Sequence, residues 1–465
     1  MKDFLAEYPE YATTTRLDEL RRTEYRYLDD QGHVYLDYTG AGLAARAHAD
    51  RVARTLFGNP HSVSPASAAA TELVALARDR VLAHFGASTD EYAVVFTPNA
   101  TGAARLVGEA YPFGRRTGLV LTSDNHNSVN GLREFARRAH ARTTYVPARA
   151  PGLRVDGDEL DSVLARGRRG LFAYPAQSNF SGVRHPLAWI GRAQDLGHDV
   201  LLDAAAYLPT NLLDLGAVRP EFVMVSWYKL FGYPTGVGCL IARRDALARL
   251  TRPWFSGGTI QAVSVGLPWH TMAPDETAFE DGTLDFLSIP DVHFGLDWLA
   301  DIGVPLVGTR VAALTGWFLR LLTAMRHSDG SPMSRVYGPV TGEARGGTVA
   351  FNLLDAAGRV VDERLVAAES SAAGISLRTG CFCNPGVGED AFGLDAATLK
   401  PLRHKKSATL DEYLTLLGLP SAGAIRVSFG LVSTVEDVER FADFAESTYR
   451  DRVSEAAGLP PRDRC

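Results

Sequence analysis

The sequence predicts an α/β fold: a mostly parallel sheet with helices on both faces. Three observations carry this. Seven short apolar runs, at 93–97, 118–122, 143–147, 170–174, 200–203, 222–226 and 237–241, follow one another through the first half of the chain. Each is nearly continuous in apolar residues instead of alternating, as a strand buried on both faces must be. Most are separated by stretches that read as helix or as helix plus loop, the pattern of a sheet layered between helices.

Taken in order, residues 1–44 read as an arm with short pieces of structure. Residues 66–86, ASAAATELVALARDRVLAHFG, place apolar residues at helical intervals and stop at Gly86. The seven runs come next. The last two are joined by the Gly/Pro-rich turn 231–236, too short for a crossover, so this pair is expected to be antiparallel. Residues 251–290 are rich in Gly, Pro, Ser/Thr and aromatics and read as loop; 291–325 read as helix. Within that stretch, 311–325 is interrupted by Arg320 and is too short to cross a bilayer. Runs 349–354, 375–378 and 424–429 suggest strands of a smaller second domain. Residues 434–449 read as its closing helix, with Thr434 as N-cap and Asp437 in the first turn. Residues 390–415, with His404, Lys405 and Lys406, read as a surface loop. The expected division is an arm, 1–44, that joins the small domain, a large domain, 45–310, and a small domain, 311–465.

Composition removes several classes of function. With 465 residues, 46% of them apolar, the chain can bury a sizeable core. Its formal net charge is −6, so no basic excess points to nucleic acid or to a membrane surface. The start, MKDFLAEYPE, lacks an apolar run behind a basic end, so the expected location is cytoplasmic. Four cysteines do not make a disulfide framework. Of 48 basic residues only five are lysines: Lys2, Lys229, Lys400, Lys405 and Lys406. Lys229 therefore stands alone across almost 400 residues as a candidate amine for the core.

In a layered α/β sheet, ligands sit beyond the carboxyl ends of the strands. The polar residues there are Asn99, Ala100 and Thr101, then His126, Gln177 and Asn179, Asp203, and Ser226 with Lys229. One amine, one carboxylate, one imidazole and several hydroxyl or amide groups suit a cofactor bearing an aldehyde, a basic ring nitrogen and a phosphate. Pyridoxal 5′-phosphate has all three. Its aldehyde needs an amine, its ring nitrogen a carboxylate to stay protonated, and its phosphate the N–H groups of a helix start. An aspartate at a strand end can equally cap a turn. Lys229 is set apart by its setting, SWYKLFGYPTG, between two apolar runs.

The stretches VLLDAAAYLPT and VMVSWYKLFGYPTGVGCLI resemble the class V, fold-type I aminotransferase superfamily. Within it the likeness is to the cysteine desulfurase-like domain of molybdenum cofactor sulfurases. TSDNHNSVNGLREFA, AYPAQSNFSGVRHPL, PWFSGGTI, FEDGTLDFLSI, LRTGCFCNPG and AIRVSFG match that group in order, from about YLDYTGAG onward. The resemblance implies a mostly parallel seven-stranded sheet plus a smaller C-terminal α+β domain, and a homodimer with shared sites.

It also implies roles. Lys229 would carry the cofactor and move the substrate α-proton. Asp203 would pair with the ring nitrogen, and His126 would stack on the ring and help proton transfer. Ala100, Thr101 and Ser226 would hold the phosphate. Tyr228 stands where many desulfurases have a histidine. Asn179 and Gln177 would approach the ring hydroxyl, and Thr259 would reach the phosphate of the neighbouring subunit. Arg426 would clamp the substrate carboxylate through its planar fork, assisted by Arg378. Cys383 falls at the position of the sulfur nucleophile, with Cys381 second; no metal ligand set is expected.

Two departures are visible. Gly388 stands where related sulfurases carry a further cysteine, and the second domain of the eukaryotic sulfurases is not expected within these 465 residues. The implied reaction is desulfuration of L-cysteine to L-alanine, with a persulfide on Cys383 passed to an acceptor. The competing expectations are a carbon–sulfur lyase, epimerase or aminotransferase that does not use Cys383, and a non-catalytic sulfur-relay or interaction protein.

Overall fold

A computed structural model describes residues 2–49, 64–400, 409–419, 423–454, 458–459 and 461–462. Among these, seven strands form the main sheet: β1 (Tyr92–Thr97), β2 (Gly118–Thr122), β3 (Arg142–Val146), β4 (Gly170–Pro175), β5 (Asp199–Asp203), β6 (Phe222–Ser226) and β7 (Gly238–Arg243). They coincide with the seven expected runs to within two residues. Their spatial order is β1-β7-β6-β5-β4-β2-β3. Neighbours are parallel from β6 to β3, whereas β7 is antiparallel to both β6 and β1, as its short turn requires.

The near-continuous apolar runs are explained by cover on both faces. Val94, Phe96, Phe172, Tyr174, Leu202, Val223 and Ile241 pack with the helices Pro65–His84 and Ile289–Ile302. Ala93, Val95, Leu119, Leu121, Ala173, Leu201 and Leu240 pack with Ala100–Ala110 and Leu132–Arg138. Adjacent residues of one strand thus serve opposite cores.

A second sheet contains β8 (Ser334–Tyr337), β9 (Thr348–Leu353), β10 (Arg378–Gly380) and β11 (Ala424–Ser428), all antiparallel, in the order β8-β9-β11-β10. One face packs on the helices Val304–Ala324 and Val435–Tyr449 through Phe318, Phe351, Phe429 and Phe441. Thr434 caps the latter helix in a reciprocal capping box with Asp437, as the sequence suggests. The N-terminal segment joins the same core through Phe4, Tyr11, Leu17 and Leu36. It is pinned by the buried Arg21 on Asp437 at 2.7 Å and by Asp18 on the buried Arg310 at 2.7 Å.

Several local expectations are corrected. Residues 251–290 are not all loop: Ile260–Ser264 and Trp269–Met272 form an antiparallel hairpin. Its apolar side chains lack a buried face, so the strand pattern is hidden; Val265 and Leu267 at its tip are fully or largely exposed. Residues 375–378 are two elements, Ile375–Ser376 paired with Val34–Tyr35 and β10 on the second sheet. The 390–415 stretch begins inside the helix Pro385–Phe392 and includes the helices Ala396–Leu399 and Leu410–Leu417. His404, Lys405 and Lys406 lie outside the described residues, as does Cys465. The boundary expected at 310/311 falls inside the continuous helix Val304–Ala324. Val304 still belongs to the first core and Val307 to the second, so the cores change over at the start of that helix. No single helix among the described residues is long and apolar enough to cross a membrane; Ile289–Ile302 and Val304–Ala324 qualify only as a pair bent by 67°.

One partly buried histidine makes the fold acid-sensitive. At the end of Pro65–His84, burial and the nearby Arg80 hold the His84 imidazole down to about 4. The unfolded chain takes up a proton near pH 6.5 that the folded chain refuses. The favourable contribution is therefore complete above about pH 6.5 and is lost as pH falls toward 4. Replacing His84 by glutamine is expected to remove up to ~3 kcal/mol of this pH dependence, read as the difference between variant and parent in urea unfolding at pH 7 and pH 4.5.

Candidate active site

The carboxyl edge of the main sheet is defined by register. Thr97, Gly238 and Ser226 lie side by side, and Met224, Asp203 and Pro175 form the adjoining row. Just beyond this edge is a cavity of about 100 Å³ lined by Asn99, Ala100, Thr101, His126, Ser128, Gln177, Asn179, Asp203, Ser226, Tyr228 and Lys229, among others. Nine of the predicted site residues therefore converge on one space, although they come from five separate stretches of chain.

Each is placed by its local structure. Asn99 ends the loop after β1, and its side chain accepts the Gly102 N–H, starting the helix Ala100–Ala110. That leaves the first N–H groups, at the positive end of the helix dipole, facing the cavity. Gly238 makes the approach possible: a Cβ there would lie 2.6 Å from the Asn99 carbonyl carbon. Thr101 Oγ1 and Ser128 Oγ are 2.6 Å apart, and Ser128 Oγ is 2.9 Å from His126 Nδ1. His126 Nδ1 also accepts the Ser128 N–H, which fixes the ring, and burial lowers its pKa, so the imidazole is neutral at physiological pH.

Asp203 is buried, with Oδ1 accepting the Ala205 N–H at 3.0 Å. Lys229 lies in the one-turn helix Trp227–Phe231 directly after β6. Burial pushes its ammonium pKa below the ordinary lysine range; Asp203 opposes this and Arg426 adds to it, while the charges of Asp37 and Cys383 also reach it. Gln177 is buried with its Oε1 unpartnered.

Four predicted residues do not line the cavity. Thr259 is fully buried in its own chain, and its Oγ1 accepts the Ser256 N–H in a capping box. The oxygen of its hydroxyl is used within the turn, while the hydroxyl proton is left to donate. Arg426 is buried and bound to Asp37 Oδ1 at 2.8 Å, while the half-exposed Arg378 takes Asp37 Oδ2 at 3.0 Å. These arginines are paired directly across β10 and β11, so the carboxylate of Asp37 bridges two like charges. Two cations share one anion, leaving an excess positive charge beside the cavity.

Cys383 is an exposed free thiol next to it. Its carbonyl accepts the N–H of Asn127, the residue after His126, at 2.7 Å. The other described cysteines are less suited. Cys381 is buried and disulfide-bonded, and Cys239 is buried in β7, where burial drives its pKa far up. Asn179 lines the cavity, but its amide is committed elsewhere: Nδ2 donates to the Phe382 carbonyl at 2.8 Å and Oδ1 accepts from Asn384 at 2.9 Å. Of the two amides expected near a ring hydroxyl, Gln177 has a buried oxygen without a partner, and Asn179 keeps one Nδ2 hydrogen. Sequence reasoning passed over Asp37 and Asn384. The first lies in the quoted YLDYTGAG, the second directly follows Cys383.

The family description Aminotransferase class-V matches residues 34–441. The chain belongs to the class-V aminotransferase family. Among its class-V relatives, the molybdenum cofactor sulfurase of Solanum lycopersicum is 34% identical over 99% of this chain and 61% of its own length. That of Bos taurus is 34% identical over 96% of this chain and 53% of its own. The chain thus spans between half and three-fifths of these curated relatives. The apo cysteine desulfurase of Thermococcus onnurineus shares the fold, with a TM-score of 0.76, 22% identity, and coverage of 93% of this chain and 98% of that one. The cysteine desulfurase CsdA of Escherichia coli follows at 0.72 and 20%, with 93% and 98% covered.

Pyridoxal 5′-phosphate is the cofactor of the class-V family. The residues present fit it: an amine with lowered pKa, a buried carboxylate with one oxygen spare, a helix start kept clear by Gly238, and the unpartnered Oε1 of buried Gln177. Among the described residues no group of His, Cys, Asp or Glu could hold a metal ion.

Proposed function

We propose that this chain is a pyridoxal-phosphate-dependent cysteine desulfurase that converts L-cysteine to L-alanine and carries the sulfur as a persulfide on Cys383, for transfer to an acceptor protein. The observation that carries the reading is the position of Cys383: an exposed free thiol tied to the turn of His126 and within electrostatic reach of Lys229. A lyase or aminotransferase on the same scaffold has no use for a thiol there.

When bound, the cofactor supplies an electron sink conjugated to the substrate α-carbon. Asp203 would hold the proton on its ring nitrogen; the N–H groups of Ala100 and Thr101 and the hydroxyl of Ser226 would hold its phosphate. Lys229, with its lowered pKa, takes the α-proton and returns a proton to carbon. Arg426 and Arg378 draw the substrate carboxylate toward their excess charge. The Cys383 thiolate attacks the substrate sulfur: an S–S bond forms as the Cβ–S bond breaks, the electron pair stays with Cβ, and Cβ is protonated. The balance is R–CH₂–SH + Cys–SH → R–CH₃ + Cys–S–SH.

The working form in this reading is a cytoplasmic homodimer. An opening of about 660 Å³, bounded by Asn99, Thr101, Arg105, Trp254 and Asp285, adjoins the cofactor cavity. Trp254 at its rim, and Val265, Leu267 and Trp269 on the hairpin that follows, are exposed apolar residues that a second copy would cover.

The test is incubation of the holoenzyme with ³⁴S-labelled L-cysteine, followed by peptide mass mapping without reductant. One added sulfur on the Cys383 peptide, with stoichiometric alanine, is the expected result. Product release with no sulfur on the protein would replace this reading by a lyase.

A further inference from the structure

The Cys383 loop is held by contacts from outside itself. Phe382 and Cys383 have φ of 54° and 53°, two consecutive non-glycine residues in the left-handed region. Each such residue costs on the order of 1–2 kcal/mol, so the conformation persists only where neighbours over-determine it. Three neighbours do so. The Phe382 and Cys383 carbonyls accept from Asn179 Nδ2 and the Asn127 N–H. The Phe382 ring lies beneath the Arg426 guanidinium, 4.7 Å from its centroid. Asn384, fully buried, uses Nδ2 twice: it donates to the Asp124 carbonyl at 2.7 Å and to Asn179 Oδ1 at 2.9 Å.

Asn384 therefore joins three elements. One is its own loop. The second is the 123–127 turn bearing His126, anchored by the fully buried pair Asp124 and His185 at 2.7 Å. The third is the 177–179 turn bearing Gln177. The following helix, Pro385–Phe392, lies so close to the same turn that a Cβ on Gly386 would be 2.1 Å from the Ser123 carbonyl oxygen. Asp390 in that helix accepts from Ser123 Oγ and the Ala148 N–H.

We propose that Asn384 is a positioning residue for the Cys383 thiol: its side-chain amide clamps the loop onto the 123–127 turn and holds the sulfur nucleophile at the cavity mouth. This rests on the reading of Cys383 as sulfur carrier. Asparagine suits the place because both amide hydrogens meet carbonyl oxygens while Oδ1 faces the Val387 N–H at the start of the helix. Asn384→Asp keeps the cap and the shape but turns both donor contacts into oxygen–oxygen repulsion.

The experiment compares holoenzyme with Asn384→Asp and, as a second route that leaves the amide in place, Gly386→Ala. In both variants kcat for alanine formation from L-cysteine is expected to fall about 10- to 100-fold, the worth of two hydrogen bonds, with KM changed less than about twofold. Exchange of the α-hydrogen of L-alanine with deuterated solvent, which needs Lys229 but no thiol, stays within about twofold of the parent. Hydrogen–deuterium exchange speeds up about 10-fold in peptides covering 123–127 and 381–392. Unchanged peptide exchange in both variants, or alanine formation and α-hydrogen exchange falling together, would overturn the clamp. If the parent makes no alanine from L-cysteine, the desulfurase reading fails, while peptide exchange still decides the clamp.

Discussion

Substituting Lys229 by alanine is expected to lower turnover by about 10⁴-fold or more and to abolish covalent retention of the cofactor. No other lysine lies between residues 2 and 400, and Lys229 is the lysine that lines the cavity among the described residues. The effect is large because two tasks sit on one atom. The amine must be neutral to condense with an aldehyde and to accept a proton, and burial brings it toward that state by pushing its pKa down. Borohydride treatment of the parent protein should add the cofactor mass to the peptide containing Lys229, and to no peptide of the Lys229→Ala variant. Lys229→Arg should be equally inactive: it keeps the charge beside Asp203 and loses the titratable amine. A Lys229→Ala protein that kept more than about 1% of turnover would remove the amine from the mechanism.

The second large effect belongs to Cys383. Cys383→Ser should keep the cofactor, its absorption and α-hydrogen exchange on L-alanine, and lose alanine formation from L-cysteine by about 10³-fold. A hydroxyl at the same place is a poor nucleophile toward sulfur. Cys381→Ser is the informative companion. Cys381 is buried and engaged in a disulfide, so its loss should leave a measurable reaction. If the two variants exchanged these phenotypes, the sulfur carrier would be Cys381 and the exposed thiol a bystander.

The parts legible in the sequence are those set by local pattern. Six of the main strands read clearly because burial on both faces leaves little but apolar residues in them, whereas β3, at the sheet margin, is mostly exposed. Lys229, Asp203, His126 and Ser226 could be placed together because strand ends share one edge whatever the strand order. What stayed hidden depends on long-range pairing. Nothing near Arg426 announces that Asp37, 389 positions away, binds it. Asn179 lines the cavity as its place at a strand end suggests, but its bond to the Phe382 carbonyl, 203 residues away, could not be foreseen.

The place of β1 at one margin of the main sheet also bears on how the protein is made. Its sheet partner is β7, so Tyr92–Thr97 has no strand to pair with until residue 243 has been synthesised. At roughly 5–20 residues per second, the ribosome needs about 7–30 s to supply it. During that interval the Asn99–Thr101 turn has no opposing wall, because Gly238 is not yet there to meet it. Loading with vitamin B6 therefore cannot precede synthesis of Gly238, about halfway along the 465 residues. Nascent molecules released early would expose an unsatisfied edge, a natural target for chaperones.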